Sequence, residues 1–134
     1  DFVFNRGIFK LCKHYQDQDY KIIVITNQAG IARGLYSKNE FHDLTNWMVV
    51  EFLQRDIIID KVYFCPHHPD YTGKCLCRKP EIGMISDAKK EFNLDLSKSV
   101  LIGDKNSDIE AGRKAGIGKN ILIEPNKIPK YLFL

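Results

Sequence analysis

The sequence predicts an α/β domain built on a parallel sheet. Helical amphipathic periodicity alternates along the chain with apolar runs of strand length. Two of those runs, residues 21–26 (KIIVIT) and 99–103 (SVLIG), are almost wholly apolar and then stop in polar residues, as strands covered on both faces do. In such sheets chemistry collects at the carboxyl ends of the strands. Thr26-Asn27 and Gly103-Asp104 therefore mark where a site is expected.

Each element has its own signal. Ile8, Leu11, Cys12 and Tyr15 recur at i, i+3, i+4, i+7, so residues 4–17 read as a helix with those four inward. Residues 21–26 follow as a strand buried on both faces, and Gly30 and Gly34 punctuate the next loop. Ser37-x-x-Glu40 is a capping box opening a helix over 38–55, with Phe41, Leu44, Met48 and Phe52 inward and Trp47 and Val49 widening that face. Residues 60–65 form a short strand. Residues 82–92 form a helix with Ile85, Ala88 and Phe92 inward. Residues 99–103 are a second fully buried strand, 107–115 a helix and 120–124 a strand. After Pro125 the pattern is irregular, fitting a peripheral strand or a disordered end.

The bulk numbers fit one domain: 134 residues, 44% hydrophobic and 28% charged, with no internal repeat or low-complexity segment. A net charge of +3, from 20 basic and 17 acidic residues, is too mild to argue for a nucleic-acid or membrane surface. A local basic patch for a phosphorylated metabolite fits as well. No apolar run reaches transmembrane length, and no secretory signal opens the chain.

Three pieces carry chemistry. The first is Thr26-Asn27-Gln28-Ala29-Gly30, where a hydroxyl, an amide and consecutive N–H groups at a strand end suit a phosphoryl group. By residue type alone it reads equally as a polar turn satisfying its own backbone. The second is Gly103-Asp104-Lys105-Asn106-Ser107-Asp108. Asp104 is a hard oxygen ligand suited to Mg2+, which takes one or two carboxylates plus phosphate and water. Asp108 supports it or simply sits at the positive end of the next helix. The third is Arg78-Lys79-Pro80: Lys is a point charge for a phosphoryl group and Arg a bidentate fork, or the two are a solvated basic pair. Each piece is weak alone, and their order is far more specific.

The stretch CPHHPDYTGKCLCRKP, residues 65–80, holds three of the four cysteines and two of the four histidines. Cys65-x-His67 and Cys75-x-Cys77 offer three thiolates and an imidazole, a donor set for structural zinc. Residue types do not choose between His67 and His68. The competing reading is a disulfide, but a Cys75–Cys77 bridge would close a very small strained loop. Cys12, on the inner face of the first helix, reads as a buried apolar thiol.

Together Thr26, Lys79 and the Asp104/Asp108 pair resemble motifs II, III and IV of the haloacid-dehalogenase-like (HAD-like) phosphatases. VITNQAGIARG, F-x-x-L-T-x-W-M, YFCPHHP, CxCRKPxxGM and GDKxxD narrow the resemblance to the branch holding heptose-bisphosphate and histidinol-phosphate phosphatases, over roughly residues 2–123. The resemblance implies a HAD-like (Rossmannoid) parallel sheet flanked by helices. It also implies Mg2+-dependent hydrolysis of a sugar phosphate monoester through an aspartyl-phosphate, with the 7-phosphate of D-glycero-D-manno-heptose 1,7-bisphosphate as the favoured target. Histidinol phosphate is the alternative, and a catalytically dead zinc-stabilised binding module a third. The branch further implies a cytoplasmic monomer serving lipopolysaccharide precursor synthesis, acting on a small phosphosugar with no nucleic acid or membrane partner.

Roles follow from the same resemblance. Thr26, Lys79 and Asp104 are the catalytic candidates. Thr26, Asn27, Gln28, Ala29, Arg78, Lys79 and Lys105 would bind substrate, with Arg33 a weaker candidate. Asp104 and Lys105 would sit at Mg2+, with Asp108 behind them. Cys65, His67, Cys75 and Cys77 would hold zinc in a loop over 65–77, leaving His68 for hydrogen bonds or substrate. The zinc would aim Arg78 and Lys79.

Motif I carries nucleophile and general acid in a D-x-D followed by Gly and a hydroxyl residue, and no such run occurs at the start of the sequence. Asp17-x-Asp19 reads as a solvated turn, and Asp1 matches a family position well after motif I. In the family the motif I strand lies between the strands that end at Thr26 and Asp104. We expect a single domain over 1–134, incomplete at its N-terminus, from a longer protein. The alternatives are a segment supplied by another chain, or direct pairing of those two strands in an inactive product.

Overall fold

In a computed structural model the described residues are 6–123. Six helices and four strands alternate: α1 Arg6–Gln16, β1 Ile22–Asn27, α2 Ala29–Ala32, α3 Lys38–Leu53, β2 Ile59–Cys65, α4 Pro69–Thr72, α5 Gly83–Phe92, β3 Val100–Gly103, α6 Asn106–Ala115 and β4 Lys119–Leu122. A 3-10 turn, Leu96–Lys98, leads into β3. The α/β class and the parallel strands are as predicted. The expectations for residues 1–5 and 124–134 lie outside the described residues.

The strands form two parallel pairs. β1 pairs with β2, Val24 opposite Val62 and Asn27 opposite Cys65. β3 pairs with β4, Leu101 opposite Asn120 and Gly103 opposite Leu122. β1 and β3 are not hydrogen-bonded to each other, so the direct pairing weighed above is not what the fold adopts.

Alternation along β1 and β2 sorts their side chains onto two faces. Ile22, Val24 and Val62 pack with Met48, Phe52, Ile57 and Ile59, under Ile8, Phe9 and Cys12 of α1. Phe64 joins the same face, 4.8 Å from the Phe41 ring of α3. Ile25 faces the other way, against Ile85, Leu101, Ile109 and Ala111. The two apolar clusters thus lie on opposite sides of β1.

Both strands expected to be fully buried are less so. Every residue of β1 is half-buried, and in β3 only Leu101 is buried. Each of these strands has one paired neighbour among the described residues, so an apolar run here does not mean two covered edges. On α3, Phe41, Met48 and Phe52 are buried as predicted and Val49 packs on the cluster, but Leu44 and Trp47 are 41% and 45% exposed. The inward stripe is narrower than the periodicity implied. On α5, Met84 is buried with Ile85 and Ala88, while Phe92 is only half-buried.

Local chemistry sets the helix ends that matter for the site. Ser37 Oγ accepts from Glu40 N at 3.0 Å and Glu40 Oε1 accepts from Ser37 N at 3.2 Å, the predicted capping box. Asp108 Oδ2 accepts from Lys105 N at 3.1 Å, closing the start of α6. Among the described residues, no helix is long and apolar enough to cross a membrane.

Candidate functional site

Three strand ends carry the site. β1 ends in Thr26-Asn27, β2 in Cys65, and β3 in Gly103 just before Asp104. The parallel register sets Asn27 beside Cys65, so the polar end of β1 and the cysteine cluster are neighbours.

Lys79 ties these ends together. Its Nζ donates to Ile25 O at 3.3 Å on β1 and pairs with Asp108 on the first turn of α6. The side chains are only 11% and 9% exposed, so this is an ion pair largely withdrawn from water. Asp108 rests on Gly103, where a Cβ would overlap the Asp108 side chain. Asp108 therefore does more than meet a helix dipole: it holds Lys79 and caps Lys105 at once.

The Asn27 side chain grips the Lys79 peptide from both sides. Asn27 Oδ1 accepts from Lys79 N at 3.0 Å, and Asn27 Nδ2 donates to Lys79 O at 3.3 Å. Thr26 Oγ1 accepts from Gln28 Nε2 at 2.9 Å, and Tyr36 donates its hydroxyl to Gln28 Oε1. Gln28 N also donates to Cys65 O at 2.7 Å, stitching the turn to the end of β2. Gly30 leaves room for Tyr36, whose ring a Cβ there would strike. A groove of about 420 Å3 runs from Thr26, Gln28 and Tyr36 along Val24, Phe41 and Met48. Glu40 and Thr45 also line it, and no cation does, so the groove is separate from the Lys79 ammonium.

The cysteine cluster is gathered as the spacing predicted. One donor atom each from Cys65, His67, Cys75 and Cys77 lies within 4.8 Å of the others. Cys65 Sγ is 3.5 Å from His67 Nδ1 and 3.5 Å from Cys75 Sγ, while Cys77 Sγ is 3.2 Å from His67 Nδ1 and 3.6 Å from Cys75 Sγ. Cys65 and Cys77 form a disulfide. The sequence weighed only Cys75–Cys77 as a bridge; the fold instead brings the end of β2 onto Cys77, leaving Cys75 a thiol beside the pair. Tetrahedral zinc with bonds of ~2.3 Å to sulfur and ~2.1 Å to nitrogen sets its donors about 3.5–3.8 Å apart. Three of the four separations around Cys75 and His67, at 3.5, 3.5 and 3.6 Å, match that spacing, and His67 to Cys77 at 3.2 Å is shorter.

His67, not His68, belongs to the cluster. His68 is the N-cap of α4: its Nδ1 accepts from Asp70 N at 3.1 Å, and its N donates to Thr72 Oγ1 at 3.0 Å. Arg78 turns back on the same loop, with Nη1 3.4 Å from His67 O. Gly83 donates its N–H to Leu76 O at 2.8 Å, closing the loop behind Arg78 and Lys79. The Lys79–Pro80 peptide is cis.

Asp104 and Lys105 are exposed at the bend after β3, and Arg33 is exposed beyond α2. Ala29 opens α2 within the Thr26 turn. Tyr36 and the Asn27 grip were not foreseen. Both join residues through the fold, and no local spacing signals them. Away from the site, burial lifts the Cys12 thiol to about 11.

A family model described as HAD-hydrolase-like matches residues 76–124. The chain is 46% identical over 127 residues to the D-glycero-alpha-D-manno-heptose-1,7-bisphosphate 7-phosphatase of Campylobacter jejuni, covering 95% of this chain and 72% of that protein. It is 48% identical over 127 residues to the corresponding enzyme of Burkholderia mallei, covering 91% and 67%. Among solved structures, a D,D-heptose 1,7-bisphosphate phosphatase from B. bronchiseptica, complexed with magnesium and phosphate, superposes with a TM-score of 0.80. The identity is 26%, over 95% of this chain and 78% of the other.

Proposed function

The chain belongs to the D-glycero-D-manno-heptose-1,7-bisphosphate 7-phosphatases, a branch of the HAD-like hydrolases, and from that membership we propose that it acts on the 7-phosphate of D-glycero-D-manno-heptose 1,7-bisphosphate. The observation that carries the reading is Lys79: a nearly buried ammonium fixed between Ile25 O on β1 and Asp108. A buried cation at a strand end suits a phosphoryl dianion. The relatives named above act on heptose bisphosphate, which favours it over histidinol phosphate.

In this reading Thr26 Oγ1 donates its hydrogen to a phosphoryl oxygen while Gln28 Nε2 holds the other side of the hydroxyl. Gln28 and Ala29 shape the turn round the phosphate. Lys79 Nζ offsets the phosphoryl charge, with Asp108 keeping the ammonium in place. Arg78, half-buried and 3.4 Å from His67 O, meets the sugar or its second phosphate, and the exposed Lys105 adds a cation at the rim. Asp104 offers a hard carboxylate where Mg2+ would sit, with Lys105 beside it and Asp108 behind. When bound, that ion would supply positive charge to offset that of the phosphoryl group.

Cys65, His67, Cys75 and Cys77 would hold zinc once the disulfide is reduced. Four protein donors leave no open position, so the bound ion supplies a rigid crosslink rather than chemistry. Its effect on this chain is to fix Cys77, the residue before Arg78-Lys79. The nucleophile and general acid of the family's D-x-D motif have no counterpart identified in the sequence, so binding rather than turnover is the readout used to test the chain.

Phosphorus NMR of the bisphosphate titrated with the reduced, zinc-loaded chain and Mg2+ tests this. We expect the 7-phosphate resonance to broaden before the 1-phosphate. Preferential binding of histidinol phosphate, or no broadening, would overturn the substrate reading.

A further inference from the structure

We propose that Asn27 is a positioning residue for Lys79 rather than a ligand for the phosphoryl group; the proposal rests on the phosphate-binding reading above. The resemblance made Asn27 a substrate contact, but the fold turns its amide onto a backbone 52 residues away. Oδ1 takes the Lys79 N–H at 3.0 Å and Nδ2 gives to the Lys79 carbonyl at 3.3 Å. That reciprocal pattern fixes which end of the amide is which, because an amide turned over would set oxygen against oxygen and N–H against N–H.

The grip addresses a weakness of lysine. A four-carbon stem with a point charge has many rotamers, so its aim depends on where its backbone is held. Lys79 follows the cysteine loop, at the junction of Arg78 and Pro80, outside any helix or strand. Two contacts fix the far end of the side chain, Ile25 O and Asp108. Asn27 fixes the near end. Ile25 and Asn27 are both on β1, so one strand holds Lys79 at its peptide and at its ammonium. No other side chain hydrogen-bonds to the Lys79 peptide among the bonds described. Asn27 also sits opposite Cys65 in the ladder, so the grip joins the zinc loop to the phosphate site through adjacent strand ends.

Two measurements on the full chain test this separately. The first is amide hydrogen exchange at Lys79. In Asn27→Ala we expect exchange at that amide to rise by ~10-fold or more, with the amides of α3 and β2 unchanged. Asn27→Asp, which keeps the acceptor for Lys79 N but sets an oxygen against the Lys79 carbonyl, should restore only part of the protection. Unchanged exchange at Lys79 in Asn27→Ala overturns the grip, whatever the protein binds.

The second is a double-mutant cycle read by calorimetric titration with inorganic phosphate. We expect Asn27→Ala to weaken phosphate binding about 10-fold in the wild-type background and to have no further effect in Lys79→Ala. Independent, multiplying losses would put Asn27 on the phosphate itself and overturn the proposal. If the wild type binds no phosphate, the phosphatase reading fails and the exchange result alone decides whether Asn27 positions Lys79.

Discussion

Lys79 and Asp108 form an ion pair that spans the two sheets: the ammonium also touches Ile25 O on β1, and the carboxylate rests on Gly103 at the end of β3. β1 and β3 have no direct hydrogen bonds, so this pair is a polar link between them at the end where the site lies. Both side chains are mostly withdrawn from solvent, which makes the partners strongly interdependent.

Asp108→Ala should therefore leave a nearly buried ammonium without its counter-charge. We expect a loss of about 3–5 kcal/mol in urea unfolding. Replacing both partners together, Lys79→Met with Asp108→Leu, should recover much of the stability while abolishing phosphate binding. A double variant no more stable than Asp108→Ala would show that the pair matters for packing rather than for charge.

Gly103→Ala tests the same link from β3. The new methyl would overlap the Asp108 side chain, which has no slack because it also caps Lys105. A cost of about 1–3 kcal/mol is expected from overpacking. Weaker phosphate binding should accompany it, read by calorimetry.

The cysteine cluster separates two chemistries with one substitution. In the disulfide Cys75 takes no part; in a zinc site it is one of four donors. Under reducing conditions we expect about one zinc per chain by elemental analysis, lost together with several degrees of melting temperature in Cys75→Ser. A reduced wild type without zinc, or a Cys75→Ser variant that keeps it, would contradict the zinc reading.

Cys12 gives a pH prediction with a definite sign. Burial holds the folded thiol's pKa at about 11, above its ordinary value of 9.0. The folded state therefore keeps the proton that the unfolded state has already lost. Stability from this group is complete below pH 9 and falls as pH rises through 11. Urea midpoints measured across that window should drop less steeply in Cys12→Ala than in the wild type. The thiol should also resist alkylation at pH 8 in the native state and react on unfolding.

Much of this was legible in the sequence where the signal is local. The Ser37/Glu40 capping box, the strand ends at Thr26 and Gly103, and the metal-ligand spacing of residues 65–77 all report short-range geometry. The four-residue helices α2 and α4 are too short to show a period. Leu44 and Trp47 were misplaced because periodicity gives a face but not its width. The exposure of β1 and β3 was missed because an apolar run does not say how many neighbours a strand has. The Asn27–Lys79 grip, the Lys79–Asp108 pair and the Cys65–Cys77 pairing join residues 52, 29 and 12 positions apart, and only the folded backbone brings them together.

The central claim is that the end of β1 and Lys79 grip a phosphoryl group of the heptose bisphosphate. The most direct test is calorimetric titration of D-glycero-D-manno-heptose 1,7-bisphosphate, with Mg2+, into the reduced, zinc-loaded chain and into its Lys79→Ala variant. Saturable binding that falls at least ~10-fold in the variant is the predicted result. Equal affinity in both proteins, or no binding to the wild type, would contradict it.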